Sequence, residues 1–183
     1  MIEQKTTLTE DEIIRRCQAG DREAFRSLVE QYQDVLFGTA YLMTGNRMVA
    51  EDQVQEAFLS VWKAIGSFHT GRPFKPWLIR ILVNKVINYQ RAEPKKMISL
   101  DTDIVADPVG DDPVEDIEQR DQLQRVLQSL SEEQRQVVLL RYFTGLSLAE
   151  TSAALGRRQG TVKSQAHRAL EQLKDLIEYD NKQ

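Results

Sequence analysis

The sequence predicts an all-α protein: two helical domains joined by a flexible acidic linker, with a helix-turn-helix in the C-terminal domain. Three observations support this prediction. Apolar residues recur at helical spacing along most of the chain, capping residues stand where helices should begin, and the periodicity disappears between about residues 92 and 113. The chain has 183 residues, the length of one domain or two small ones.

The first domain, residues 1–92, is predicted to contain four helices. Thr9 and Glu12 are spaced as a capping box for the first helix. Asp21 caps the second helix, which stops near Gly45. Together the four helices are expected over residues 9–20, 21–45, 48–65 and 76–91.

The second domain, residues 114–183, is predicted to begin with a helix over 114–130. Ser131 and Gln134 form the next capping box, for a helix that ends at Gly145. Residues between the domains have no sustained periodicity, and they include three prolines. They are interpreted as a linker at 93–113.

The C-terminal helices have the pattern of a helix-turn-helix. Ser147 and Glu150 cap a short helix that ends at Gly156, and a longer basic helix follows over about 159–179. The second helix of such a motif can enter the major groove of DNA, where cations bind phosphates or guanine and amides read adenine. The alternative is the solvated basic face of a helical hairpin. The candidate contacts are Arg158, Gln159, Thr161, Lys163, Ser164, Gln165, His167 and Arg168.

A stripe on the fourth helix predicts contact with single-stranded DNA. Positions 77, 80, 84, 88 and 91 follow one another on one helical face. Aromatic rings stack on bases, amides bond to base edges and cations bind phosphates. Each aromatic residue taken alone is more typical of a core. The candidates here and in the preceding loop are Phe68, His69, Arg72, Lys75, Trp77, Arg80, Asn84, Lys85, Asn88 and Arg91.

The distribution of charge agrees with a nucleic-acid partner although the net charge is −4. Residues 101–121 hold nine acidic side chains and one basic one, so the acidity is concentrated in and beside the linker. Basic residues outnumber acidic ones by eight to one over 63–96 and by five to one over 156–174. Two basic segments on either side of an acidic one are typical of a DNA-binding protein rather than of a uniformly acidic one.

Composition and motifs exclude several other classes of protein. The longest apolar run is far shorter than the ~20 residues of a membrane span, and the N-terminus does not read as a signal sequence, so we expect a cytoplasmic protein without membrane insertion. Cys17 is the single cysteine, so an internal disulfide and a cysteine-based metal site are excluded, and the two histidines, His69 and His167, cannot supply a zinc site by themselves. We expect no metal, no cofactor and no catalytic residues, because the sequence has neither a P-loop nor a nucleophile–base pair.

Both halves of the chain carry short motifs with the pattern of one protein family. The N-terminal motifs are GDREAF at 20–25, AEDQVQEAF at 50–58 and FKPWLIRI at 74–81. The C-terminal motifs are LSEEQR at 130–135, GLS at 145–147 and GTVKS at 160–164, followed by His167 and Arg168. Each motif alone is modest support. Together, in order on both sides of a linker, they resemble those of bacterial RNA polymerase sigma factors of the extracytoplasmic-function (ECF) group, and the chain is identified as a member of this group.

The resemblance implies a role for each part of the chain. The first domain would be sigma region 2, in which Asp52, Gln55, Glu56 and Leu59 dock on the clamp helices of the polymerase β′ subunit. The loop and the fourth helix would recognise and melt the −10 element, and the second domain, sigma region 4, would read the −35 element and meet the β flap. Core polymerase and promoter DNA are therefore the implied partners. An anti-sigma protein, in this family frequently tethered to a membrane, is another.

The chain departs from the family pattern at several positions. The family commonly has Asp where this chain has Asn88, Pro where it has Ser131, and Arg where it has Gln165. It usually has an apolar residue and a serine cap where this chain has Arg157 and Arg158. Both arginines are candidates for phosphate contacts. These departures leave promoter preference open.

Without the resemblance, a second function agrees with the same motifs. A stand-alone helix-turn-helix regulator would use its N-terminal domain for dimerisation or sensing. It would bind DNA tightly without polymerase, and it would need neither the linker nor the single-strand stripe. The sequence therefore favours the sigma factor.

Overall fold

The computed structural model describes residues 8–92 and 126–180, with side chains for 8–92 and 126–175. Within these ranges the regular secondary structure is helical and contains no strand, which confirms the all-α prediction. The predicted linker at 93–113 and most of the predicted helix at 114–130 lie outside them. The α-helices are α1 Glu10–Gln18, α2 Arg22–Thr44, α3 Arg47–Ala64, α4 Phe74–Ala92, α5 Glu132–Val138, α6 Leu148–Leu155 and α7 Gln159–Asp180.

The predicted caps of the first two helices are confirmed. Thr9 Oγ1 accepts a hydrogen bond from the Glu12 N–H (3.3 Å), and the Glu12 carboxylate accepts one from the Thr9 N–H (2.7 Å). The bonds that the Glu12 carboxylate accepts from the N–H and the hydroxyl of Thr9 hold the pKa of Glu12 below its ordinary value. Asp21 Oδ1 accepts from two N–H groups at the start of α2, and Gly45 ends that helix at φ +68°. Such a left-handed conformation is inexpensive for glycine alone.

Helices α2, α3 and α4 pack side by side around an apolar core. Leu36, Val61 and Leu82 are buried there, one from each helix. Burying a side chain of this size contributes about 1.5–3 kcal/mol. Helix α1 lies against α2. The Tyr32 hydroxyl of α2 donates a hydrogen bond to the Glu10 carboxylate of α1.

The C-terminal helices form the predicted helix-turn-helix. Capping boxes start α5 (Ser131 with Gln134) and α6 (Ser147 with Glu150), as the sequence predicts. Gly156 ends α6 at φ +63°, and α7 begins three residues later. Capping and the glycine break therefore place the second helix of the motif directly after its turn.

The end of α5 differs from the regular helix that the sequence predicts. Residues Leu139–Phe143 continue α5 as a π-helical turn, and the Thr144 N–H donates to the Leu139 carbonyl at 2.9 Å. A π-turn inserts an extra residue into the helix, which rotates the side chains that follow it. Phe143 thereby lies over Gly38 of α2, where an added Cβ atom would come within 2.8 Å of its ring.

The two domains pack directly against each other. Helix α6 lies against α4, and the π-turn lies against α2. Leu127, Leu140 and Ala154 join the same buried apolar cluster as the core of α2–α4. A smaller cluster of Val137, Val162 and Ala166 holds the helix-turn-helix together. The two basic segments are thus carried on one connected apolar framework.

Candidate nucleic-acid interface

The polar stripe on α4 is exposed as the helical spacing predicts. Arg80, Asn84, Asn88 and Arg91 are exposed, and Trp77 is half-buried at the start of the stripe. The opposite side of α4 carries the buried core residues of the first domain. Two cations and two amides thus face solvent along about three turns of one rigid helix. That arrangement suits a nucleic-acid strand better than a small ligand, since the donors are spread out rather than converging.

Phe68 corrects the sequence-based assignment. Its side chain is 8% exposed, and its ring centroid lies 5.4 Å from that of Phe74 and 5.0 Å from that of Trp77. Burying the Phe68 ring stabilises the fold more than leaving the ring in water would, so Phe68 packs into the core. In this structure Phe68 supports the loop and offers no surface for a base.

The loop before α4 is held by α1. Gln18 Nε2 donates to the carbonyls of Ile65 (3.0 Å) and Phe68 (2.7 Å). Asp11 Oδ1 accepts a hydrogen bond from the Gly71 N–H at 3.2 Å. These contacts join residues 47–60 positions apart in the sequence, so local patterns gave no signal for them.

The remaining candidates of this region reach the surface around that loop. His69 and Arg72 are exposed at the tip, and Lys75 is half-buried in the first turn of α4. Lys85, also half-buried, lies on the side of α4 that faces α3, where its Nζ is 3.2 Å from Glu56 Oε2. The structure therefore brings His69, Arg72 and Lys75 to the end of the stripe, and it pairs Lys85 with a carboxylate.

The acidic start of α3 forms a separate exposed face. Asp52 and Gln55 are exposed, and Leu59, one turn further, is 55% exposed. Glu56 is exposed too, and its ion pair with Lys85 joins α3 to α4. Here a single apolar side chain stands beside carboxylates on the surface. This face lies next to the α4 stripe because α3 and α4 pack together.

The start of α7 presents most of the predicted side chains to solvent. Arg158, Gln159, Thr161, Lys163, His167 and Arg168 are exposed. Ser164 is half-buried, and its hydroxyl donates to the Thr161 carbonyl at 3.0 Å. His167 Nε2 lies 3.7 Å from Glu171 Oε1. Three of these side chains are cations, so the exposed surface is basic and suits phosphates and guanine edges.

Gln165 is the second correction. It is 9% exposed, its Nε2 donates to Glu133 Oε2 (2.6 Å), and its Oε1 accepts from Arg157 Nη1 (3.3 Å). The inward face of α7 is formed by Val162, Ala166 and Ala169, and Leu170 is 42% exposed. Gln165 lies three residues after Val162 and four before Ala169, so the same face carries it inward. In this structure Gln165 therefore cannot reach a base edge.

The groups with shifted pKa values have structural causes. Burial raises the pKa of the Cys17 thiol to about 11. Hydrogen bonds from Ser147 lower the pKa of Glu150 at the start of α6, and burial lowers the pKa of Arg135. None of these three shifts arises from a catalytic arrangement in which an acid or a base contacts a nucleophile. Among the side chains that the structure describes, no group of three or more His, Cys, Asp or Glu could hold a metal ion.

A helix that crosses a membrane must be long and almost wholly apolar, and among the described helices none is both.

Two family models match the chain. Sigma-70 region 2 matches residues 28–95, and Sigma-70, region 4 matches residues 120–173. These matches contain α4 with its stripe and the helix-turn-helix, respectively.

Several relatives match nearly the whole chain, and two of the three named here are of similar length. The ECF RNA polymerase sigma factor SigW of Bacillus subtilis is 34% identical, and the match covers 89% of this chain and 96% of SigW. The ECF RNA polymerase sigma-E factor of Escherichia coli is 31% identical over 93% of this chain and 95% of its own. The ECF sigma factor BldN of Streptomyces coelicolor is 32% identical over 92% of this chain, which spans 66% of BldN.

Solved structures share the fold. The sigma factor RpoE of Bartonella quintana, in complex with the anti-sigma factor NepR, is 26% identical with a TM-score of 0.68, over 85% of this chain and 98% of that one. CnrH, solved with the cytosolic domain of CnrY, has a TM-score of 0.71 at 24% identity, over 93% of this chain and 98% of CnrH.

Proposed function

This chain belongs to the ECF RNA polymerase sigma factors, and we propose how its surfaces divide the work of that family. It directs promoter-specific initiation of transcription as a subunit of RNA polymerase. Sigma factors recognise DNA and leave catalysis to the polymerase, so the residues below are binding residues. They act in the cytoplasm, and we place this chain with polymerase at the nucleoid.

The observation that carries the proposal is that two basic surfaces stand on separate helices of one framework. One lies along α4, which carries amides and cations and is not part of a helix-turn-helix. The other is the second helix of a helix-turn-helix. Such a pair suits a promoter that is read as an unpaired strand at one element and as a duplex at the other. Residues 1–92 would be the region 2 domain and 114–183 the region 4 domain.

We assign the −10 element to α4 and the loop before it. An extruded base of the non-template strand would stack beside Trp77, since that ring is half-buried and supported from behind by Phe68 and Phe74. Unstacking a base costs a few kcal/mol, which stacking and cation contacts recover. The proposed contacts are His69, Arg72, Lys75, Trp77, Arg80, Asn84, Asn88 and Arg91, with Lys85 contributing once its bond to Glu56 is shared or broken.

We assign the −35 element to the exposed start of α7. Lys163 and Arg168 offer cations to guanine edges or phosphates, and Gln159 offers an amide for adenine. Arg158, Thr161, Ser164 and His167 complete the contact surface. Gln165 is omitted because its amide is already bonded inside the domain.

The face of Asp52, Gln55, Glu56 and Leu59 is proposed to bind the β′ clamp helices. Its leucine supplies apolar contact, and its acids would meet basic side chains, which favours association and orientation. The C-terminal domain would meet the β flap. With both contacts made, the polymerase would hold the two DNA-reading helices in register with the two promoter elements.

An anti-sigma protein is proposed as the regulator. RpoE of Bartonella quintana is bound by such a protein, NepR. The exposed large apolar side chains of this chain are the surface that a partner of this kind would cover. Among the residues that the structure describes, they are Leu8, Met48, Leu59, Tyr142, Phe143 and Leu170.

Run-off transcription with purified core polymerase tests the proposed function. Core polymerase with this protein should start at defined promoters on genomic fragments, and core polymerase alone should not. Mapping the start sites then gives the −10 and −35 sequences. Tight binding of the isolated protein to a palindromic site, with no effect on initiation, would contradict the proposal and indicate a stand-alone regulator.

A further inference from the structure

Arg157, in the turn of the helix-turn-helix, points into the domain rather than towards solvent. Its Nη2 donates to Gln136 Oε1 at 2.8 Å, and its Nη1 lies 3.3 Å from both the Glu133 carbonyl and Gln165 Oε1. Its backbone is held as well, because its N–H donates to the Ser152 carbonyl (3.0 Å) and its carbonyl accepts from the Ser152 hydroxyl. Hydrogen bonds from a charged donor are about twice as strong as neutral ones.

Gln165 completes this network from the second turn of α7. Besides accepting from Arg157, it donates to Glu133 Oε2 at 2.6 Å. The four side chains come from α5, from the turn and from α7, and two of them, Gln136 and Gln165, are buried. Polar groups buried in this way cost about 1–3 kcal/mol each when they lose their partners. The network therefore fixes both the turn and the rotation of α7 about its own axis.

The neighbouring Arg158 is the contrasting case. Its side chain is exposed beside the first turn of α7, whereas Arg157 is half-buried. A phosphate contact by Arg157 would require its guanidinium to leave three acceptors. From the sequence alone, the two arginines are equivalent candidates for phosphate contacts. In the structure only Arg158 is exposed for such a contact.

We propose that Arg157 is a positioning residue for −35 recognition: acting through Gln165, it sets which side chains of α7 face the base edges, without touching DNA itself. The proposal rests on the assignment of α7 to the −35 element. Base readout requires side chains held to within about 0.5 Å and 10–20°. Successive residues of a helix are about 100° apart, so a small rotation of α7 moves Lys163 or His167 off its base.

Two measurements on holoenzyme separate positioning from phosphate binding. The first is selection of functional promoters from a library randomised at the −35 base pairs. The second is the dependence of promoter binding on salt, in which each lost phosphate contact lowers the slope by about 0.9. Arg157→Ala should keep the slope and lower the enrichment of the preferred −35 bases about fivefold or more, the factor that one lost base contact gives. Arg158→Ala, the matched control, should lower the slope and keep the base preference.

Further variants test the route through Gln165. Gln165→Met removes the acceptor and should broaden base preference as Arg157→Ala does, and the double variant should add nothing further. Arg157→Lys keeps the charge but not the planar fork, so it should resemble Arg157→Ala in the selection.

The proposal is overturned if Arg157→Ala lowers the salt slope with unchanged preference. It is also overturned if this variant reduces initiation equally on all library members along with its melting temperature, or if Gln165→Met leaves the selection unaltered. Failure of the proposed function is seen separately, because wild-type holoenzyme would then select no promoters from the library.

Discussion

Replacing Gly38 by alanine is expected to loosen the contact between the two domains and to leave the total stability nearly unchanged. An alanine Cβ would lie 2.8 Å from Cζ and 3.2 Å from Cε1 of Phe143, closer than carbon atoms pack. The Phe143 side chain is 46% exposed, so its ring can swing into solvent without displacing the buried residues of α2. The clash is therefore relieved by giving up a contact between domains.

Two contributions of opposite sign set the magnitude. In a helix interior alanine is favoured over glycine by about 1 kcal/mol. Displacing the ring loses the burial of roughly half a phenylalanine side chain, which costs about 1 kcal/mol. The free energy of unfolding should stay nearly constant because these contributions cancel. Energy transfer between dyes on the two domains should decrease because the contact is weakened.

A double-mutant cycle separates the two contributions. In a Phe143→Ala background the ring is absent, so Gly38→Ala should raise the free energy of unfolding by the full ~1 kcal/mol. Urea denaturation of the full chain, followed by circular dichroism, measures all four variants. Gly66→Ala is the control for replacing a glycine outside the contact, since a Cβ there has no neighbour within 4 Å. A gain of about 1 kcal/mol from Gly38→Ala in the wild-type background would refute the clash.

Three further predictions concern the binding surfaces and the buried thiol. Lys163→Ala with Arg168→Ala should abolish −35-dependent initiation and leave binding to core polymerase intact in a pull-down; loss of polymerase binding would show that the surface is misassigned. Asp52→Ala with Leu59→Ala should do the reverse, lowering affinity for core polymerase with little change in melting temperature, because both side chains are exposed. Burial raises the pKa of the Cys17 thiol to about 11, so it should react with a disulfide reagent at pH 8 much more slowly in the folded chain than in urea. Since the unfolded thiol ionises first, stability should fall as pH rises from about 9 towards 11, and Cys17→Ala should remove that part of the fall.

Where the helices begin and end could largely be predicted from the sequence. The pairs Thr9 with Glu12 and Ser147 with Glu150 form capping boxes as expected, and Gly45 ends α2 in the left-handed conformation. These features involve residues three or four positions apart, so the chain specifies them before any tertiary contact forms. The exposed stripe of α4 follows from the same local geometry, because a helix places every third or fourth residue on one face.

Positions at the margin of a helix face could not be assigned in this way. Phe68 and Gln165 have the residue types of a DNA contact, yet both are buried. For Phe68 the decision came from Phe74 and Trp77, which surround its ring; for Gln165 it came from Glu133 and an arginine in the turn. These partners lie six to thirty-two positions away, beyond the three or four positions that capping and helical spacing relate.

The sequence by itself determined that this is a helical protein with a helix-turn-helix in its C-terminal part and an exposed polar stripe on α4, because periodicity, caps and charge are local properties. The tertiary structure alone decided how α1 holds the loop through Gln18, how the π-turn sets Phe143 over Gly38, and that Arg157 points inward. Each of these contacts joins residues more than twenty positions apart. Arg157 and Arg158 are the same residue type, yet one supports the fold and the other faces solvent. The difference depends on which neighbours surround each side chain in the packed chain.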